Sequence, residues 1–208
     1  MKFDSIIFDL DGTLWNSIEG VCGAWKEVLV NYPNIKKVIT PKDMEGCMGL
    51  QIADIGKKLF PDLSQDMQLK LMKECCDTEQ IYLGKHGGKL YPKLEETLKE
   101  LYKHYKLFIV SNCQDGYIQC FFKAHNLDKY FIDFECSGVT GLSKGENNKL
   151  IIKRNNLKNP VYVGDTISDA ESARIAGIPF VYARYGFGQV EKYDYVIDSF
   201  EEMLNLNL

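Results

Sequence analysis

Six short apolar runs, spaced through the chain and separated by longer stretches of helical period, constrain this sequence most. They are Ser5–Phe8, Leu107–Val110, Phe131–Phe134, Val161–Val163, Phe180–Tyr182 and Tyr195–Ile197. Most are apolar at nearly every position, the pattern of strands covered on both faces in a parallel sheet. Between them, Leu94, Leu98, Leu101 and Tyr105 recur at helical spacing, as do Ile118, Phe121 and Phe122, and Ser199 with Glu202 reads as a capping box for a last short helix. Strand–helix alternation of this kind predicts an α/β fold: a doubly wound, Rossmann-like, mostly parallel sheet.

One region lacks strands. From about Asn16 to His86 the apolar residues fall on helical stripes: Ile18, Val21, Cys22, Trp25, Val28 and Leu29, then Ile52, Ile55 and Leu59, then Met67, Leu71 and Cys75. Thr40-Pro41 has the form of an N-cap followed by Pro at the first helical position, and Ser64 can cap the last of these helices. A helical insertion over 16–86 is therefore expected directly after the first strand, with 1–15 and 87–208 forming the sheet domain. The chain would re-enter that domain through Gly84-Lys85-His86-Gly87-Gly88, a segment suited to a hinge.

Composition narrows the partners. The 208 residues carry 25 Lys and Arg against 29 Asp and Glu, a formal charge of −4, with no basic run. That balance gives no electrostatic footprint for nucleic acid or an anionic membrane. No apolar stretch approaches the ~20 residues that span a bilayer, and the run after Met1 is broken too early for a signal peptide. The seven cysteines are scattered, with no CxxC, which fits reduced thiols in a cytoplasmic protein rather than a disulfide frame or zinc site.

Chemistry concentrates where the first run ends, at Ile6-Ile7-Phe8-Asp9-Leu10-Asp11-Gly12-Thr13. In extended backbone Asp9 and Asp11 share a side, at the carboxyl edge where open α/β sheets bind ligands. Two such carboxylates repel unless a proton or cation relieves them, so a hard, oxygen-seeking metal is expected. An EF-hand reading fails, because Gly12 comes too early and Gly20 stands where the closing Glu belongs. Later runs also end in polar clusters: Ser111-Asn112, and Gly164-Asp165-Thr166-Ile167-Ser168-Asp169, with Lys144 between them. Ser111 and Asn112 can donate to phosphate oxygens, while Asp165 and Asp169 supply the second acidic pair that a divalent site needs. Tyr185-Gly186-Phe187-Gly188 lacks the third Gly of a dinucleotide fingerprint and reads as a loop near the metal.

Asp9-x-Asp11-Gly12-Thr13, Ser111, Lys144 and Gly164-Asp165-x-x-x-Asp169, in that order, resemble the haloacid dehalogenase-like (HAD) hydrolase superfamily. Leu90-Tyr91-Pro92 and Ala176-Gly177-Ile178-Pro179 add to the likeness, and the helical insertion resembles the C1 cap of the phosphoglycolate phosphatase-like branch. The resemblance implies a Mg²⁺-dependent phosphatase acting on a small phosphate monoester through an aspartyl-phosphate. It implies Asp9 as nucleophile, Asp11 as acid and base, and Thr13, Ser111, Asn112 and Lys144 around the phosphoryl group. Asp9, the Asp11 carbonyl and Asp165 would hold Mg²⁺, with Asp169 positioning them. Asp11 separates the chain from the dehalogenase branch, which needs no proton for a halide.

A sugar phosphomutase on the same scaffold is the nearest alternative; Ala24-Trp25-Lys26 resembles that group, but Val21 stands where its hinge carries His. A non-catalytic phosphate-binding regulatory protein is another, set against the presence of all four aspartates. The expected partner is a small-molecule phosphate ester, with no nucleic acid polymer and no membrane, and the expected state a monomer or weak homodimer. Phosphoglycolate, sugar phosphates, nucleotides and pyrophosphate remain open as substrates. The loop Met44–Gln51 is expected to face the substrate, Trp15 either to touch the leaving group or to pack in the hinge, and Cys113 to be either an inert thiol or an oxidation-sensitive one.

Overall fold

A computed structural model describes residues 3–206. Its main sheet holds six strands in the order β5-β4-β1-β6-β7-β8, every neighbouring pair parallel. These are β1 (Ser5–Phe8), β4 (Lys106–Ser111), β5 (Asp133–Cys136), β6 (Pro160–Gly164), β7 (Phe180–Ala183) and β8 (Tyr195–Ile197). The chain starts in the middle, winds outward through β4 and β5, then returns to the other side of β1 for β6, β7 and β8. This is the expected doubly wound sheet, and β1 lies at its switch point. Period-two alternation divides the strands between two cores. Ile6, Phe8, Leu107, Ile109, Val161 and Val163 face the larger one, Ile7, Phe108, Val110 and Tyr162 the smaller.

Helices α5 (Leu94–Leu101), α6 (Tyr117–His125), α7 (Ser137–Thr140), α8 (Lys144–Arg154) and α9 (Ile167–Ala176) join these strands. The third apolar run is displaced. Phe131 and Ile132 lead in from a 3₁₀ turn, and pairing with β4 begins at Asp133, whose carboxylate takes a fork of two hydrogen bonds from Arg154. The expected last short helix forms as a 3₁₀ helix, Phe200–Leu204, but without the capping box; Glu202 accepts from the Asp198 amide, and Ser199 makes no side-chain cap.

Between the first and second sheet strands stand α1 (Ile18–Leu29), α2 (Pro41–Glu45), α3 (Ile52–Leu59) and α4 (Gln65–His86). Thr40 caps α2 in a reciprocal box with Asp43, and the Ser64 hydroxyl accepts from the Met67 amide at the start of α4. Where the sequence predicts only helix and hinge, a two-stranded antiparallel ribbon forms the seam: β2 (Trp15–Asn16) against β3 (Lys89–Leu90). Gly84 remains helical, and Gly87, at φ 71°, ends α4. Trp15 is fully buried, edge-on to the rings of Tyr117, Phe121 and His125, so it packs the seam. No helix among the described residues is long and apolar enough to cross a membrane.

Candidate active site

The carboxyl ends of β1, β4 and β6 converge with the start of α8. Asp9, first residue after β1, still bonds to β6 through its amide and the Val163 carbonyl, which fixes the direction of its side chain. Lys144, first residue of α8, reaches across with its ammonium 2.8 Å from Asp9 Oδ1 and 2.7 Å from Asp169 Oδ1. All three are buried. One oxygen of Asp169 accepts from Tyr162 and Lys144, the other from the amides of Asp165 and Thr166 and the Thr166 hydroxyl. It is at once the capping-box residue of α9 and the anchor of the lysine.

Asp9, Asp165 and Asp169 each offer a carboxylate oxygen within 4.8 Å of the others. Two glycines leave the room. Gly12 sits at φ 84°, and a Cβ there or on Gly186 would run into the Asp165 carboxylate. The Phe187 amide, in the expected loop near the cluster, donates to Asp165 Oδ2 at 2.7 Å. Burial, then the charge of Asp169, pushes the Asp9 carboxyl up to about 7 against the opposing pull of Lys144. Asp165 is pushed well above its usual range by burial and then by Asp169 and Asp9. Burial would pull the Lys144 ammonium down, but Asp169 and Asp9 reverse this and hold it charged. A surplus of buried carboxylates over cations, with hard oxygen donors, fits a divalent metal ion.

Asp11 has a different setting. Its Oδ1 accepts from the Ser17 hydroxyl at 2.5 Å and the Tyr117 hydroxyl at 3.0 Å, and burial raises its carboxyl against these bonds. Ser17 precedes α1, where a serine hydroxyl ordinarily caps the helix; here it makes no cap and turns to Asp11, while the Asn16 side chain takes the Ile18 amide. A carboxyl with a raised pKa, oriented by two hydroxyls, can keep a proton to donate.

Asp9, Asp11, Ser111 and Lys144 line one narrow chamber between the sheet and the helical layer. Two expected phosphate contacts differ. Thr13 is fully buried with its hydroxyl 3.5 Å from the Asp165 carboxylate, so it backs the acidic cluster. The Asn112 amide instead donates to the Gly49 carbonyl at 2.8 Å, tying the loop after α2 to the sheet domain. Cys113 also borders the chamber, but burial holds its thiol well above its ordinary range, which favours the inert reading.

Two residues escaped the sequence reading. Tyr117 lies one turn before Phe121 and reads as core. Glu79 continues the stripe Leu71, Cys75 on α4 and ends up buried in the chamber wall. An acid in register with an apolar stripe was the available signal.

The sequence profile of the haloacid dehalogenase-like hydrolases matches residues 6–183. The chain belongs to that family. Among its relatives, the phosphoglycolate phosphatase of Vibrio parahaemolyticus is 27% identical over 221 residues, covering 97% of this chain and 94% of that protein. The phosphoglycolate phosphatase of Escherichia coli K12 is 26% identical, over 93% of this chain and 87% of its own. Among solved structures, one described as a predicted phosphoglycolate phosphatase from Haemophilus somnus shares the fold with a TM-score of 0.87 at 22% identity, over 100% of this chain and 99% of that one.

Proposed function

We propose that this HAD-like hydrolase is a Mg²⁺-dependent phosphatase of small phosphate monoesters, working through a phosphorylated Asp9. The observation that carries the reading is the pairing of two differently equipped aspartates: Asp9 held by Lys144, and Asp11 held by two hydroxyls. An Asp9 carboxylate oxygen attacks phosphorus, the bond from phosphorus to the leaving oxygen breaks, and Asp11 gives that oxygen its proton. Asp11 then takes a proton from the water that attacks the acyl phosphate, releasing phosphate and restoring Asp9. An ammonium has three N–H groups, and Lys144 uses two on Asp9 and Asp169, leaving one for a phosphoryl oxygen. The buried Ser111 hydroxyl stands beside it in the chamber wall.

Asp9 and Asp165, with the Asp11 carbonyl, would hold the Mg²⁺, and the fully engaged Asp169 would steady them. The ion supplies charge neutralisation for the incoming phosphate dianion and the transferring group. Helices α1–α4 would act as a cap that excludes water, closed by the Asn112–Gly49 bond and a second from Gln51 to the Leu142 carbonyl. The names of the relatives favour phosphatase over mutase, and Val21, buried in the chamber wall, puts no imidazole there. A panel of phosphate monoesters with Mg²⁺ tests the reading: phosphate release that EDTA stops and added Mg²⁺ restores is expected. Ester binding with no release on any member would overturn it.

A further inference from the structure

Glu79 projects from α4 into the chamber that Asp9 and Asp11 also line, 3% exposed. One carboxylate oxygen accepts from the Trp25 indole N–H and the other from the Gln114 amide; both donors are neutral. Among the described residues no cation pairs with it. Among the described residues of the chamber wall Lys144 is the one positive side chain, and it is held at the far end between Asp9 and Asp169. Most other side-chain donors there are engaged, Trp25 and Gln114 with Glu79, Asn112 with Gly49, Tyr117 with Asp11 and Ser17, and the Ser111 hydroxyl is the one the phosphatase reading gives to the phosphoryl group. Among the described residues, the Glu79 side of the wall thus offers an acceptor and apolar side chains such as Val21, Met44 and Ile55, and no cationic side chain to hold a negative charge. Burial raises the Glu79 carboxyl to about 8 against the pull of its two donors, so the group is largely protonated at neutral pH and an anion above that value. The chamber is also small, about 60 Å³, whereas sites for drug-sized ligands run to roughly 300–1,000 Å³.

We infer that Glu79 sets the substrate class: the leaving group is a small alcohol without a second anion, its far end a hydroxyl or an ammonium that donates to the Glu79 carboxylate. Once Glu79 is ionised, above about pH 8, a carboxylate at that end would meet it head-on in a low-dielectric chamber, where like charges are strongly disfavoured, whereas a substrate ammonium would itself favour the ionised form. This deepens the phosphatase reading and rests on it. It also separates this chain from what the names of its relatives suggest, since phosphoglycolate carries such a carboxylate.

Three two-carbon esters that differ only at the far end make the test: 2-phosphoglycolate, 2-hydroxyethyl phosphate and 2-aminoethyl phosphate, each measured for kcat/KM with Mg²⁺ at about pH 9, where Glu79 is ionised. Acetyl phosphate, whose leaving group needs no proton, reports the phosphoryl-transfer step alone. The wild type is expected to favour the hydroxyl and amino esters over phosphoglycolate by at least ~10-fold, mainly through KM. In Glu79→Gln the amino ester should lose and phosphoglycolate gain, each by roughly 10-fold. Phosphoglycolate as the best of the three in the wild type overturns the inference, as does an unchanged ratio in a Glu79→Gln protein that still turns over acetyl phosphate. Should that variant fail to fold, the wild-type ratios decide alone. No turnover of any compound, acetyl phosphate included, overturns the phosphatase reading and this inference with it.

Discussion

The two walls of the chamber bury the same functional group in opposite ways. On the sheet side, Asp9, Asp165 and Asp169 crowd together, with Lys144 inserted among them and glycines clearing space beside them. On the helical side, Glu79 stands alone between two neutral donors. Burying a carboxylate costs several kcal/mol unless something compensates it. The sheet wall answers with a lysine and room for a metal ion; the helical wall answers with hydrogen bonds only. In the proposed reading, one wall carries the phosphoryl chemistry and the other reads the leaving group.

The sharpest way to break that division is Asp9→Asn. It should lower kcat by about 10⁴-fold or more with the fold retained, checked by phosphate release beside circular dichroism; a rate near wild type would remove Asp9 as nucleophile. Asp11→Asn should cost ~10²–10⁴-fold for alkyl esters and much less for acetyl phosphate, since acetate leaves without a proton. Equal losses on both would take the acid role from Asp11. Lys144→Met leaves Asp9 and Asp169 buried without their cation, so urea unfolding should show a loss on the order of 3–5 kcal/mol, partly recovered by Mg²⁺. Full stability without the lysine would mean that the cluster is not held by charge.

The smallest effect compares the walls directly. Asp9 at about 7 and Glu79 at about 8 both lie above their unfolded values. Between the unfolded and folded pKa the native state therefore binds more protons than the unfolded chain, and stability falls as pH rises. From these two groups the metal-free protein should lose several kcal/mol between about pH 4 and pH 8, with Asp11 and Asp165, raised in the same direction, adding to the fall. Saturating Mg²⁺ should flatten the Asp9 share and leave the Glu79 share, and Glu79→Gln the reverse. Melts across pH for both proteins, with and without Mg²⁺, separate the two; identical profiles with and without Mg²⁺ would deny the sheet wall its metal.

Much of the sheet wall is legible in the sequence alone. A strand must be apolar to be covered on both faces, and a site at its carboxyl end must be polar, so Phe8-Asp9-x-Asp11 and Val163-Gly164-Asp165 announce themselves locally. The capping residues Thr40 and Ser64 were readable for a similar reason, because a helix start is satisfied within four residues. The displaced start of β5 was not, since Phe131 and Ile132 are as apolar as any strand residue and only pairing with β4 decides where the ladder begins. Nor was the ribbon of β2 with β3, whose partners lie more than seventy residues apart.

By itself the sequence determined the sheet order of business: parallel strands, a helical insertion after the first, and four aspartates with a lysine at strand and helix ends. Those features depend on periodicity and on short-range backbone geometry, which neighbouring residues impose. Only the tertiary structure decided what the side chains do with one another. It turned the Ser17 hydroxyl from helix cap to Asp11, gave Asn112 to the Gly49 carbonyl, hid Trp15 in the seam and set Glu79 in the chamber that Asp9 and Asp11 line. A hydroxyl, an amide or a carboxylate carries several possible partners in its own chemistry. Which one it takes depends on groups that arrive from distant parts of the chain, and on how much water the packed walls leave between them.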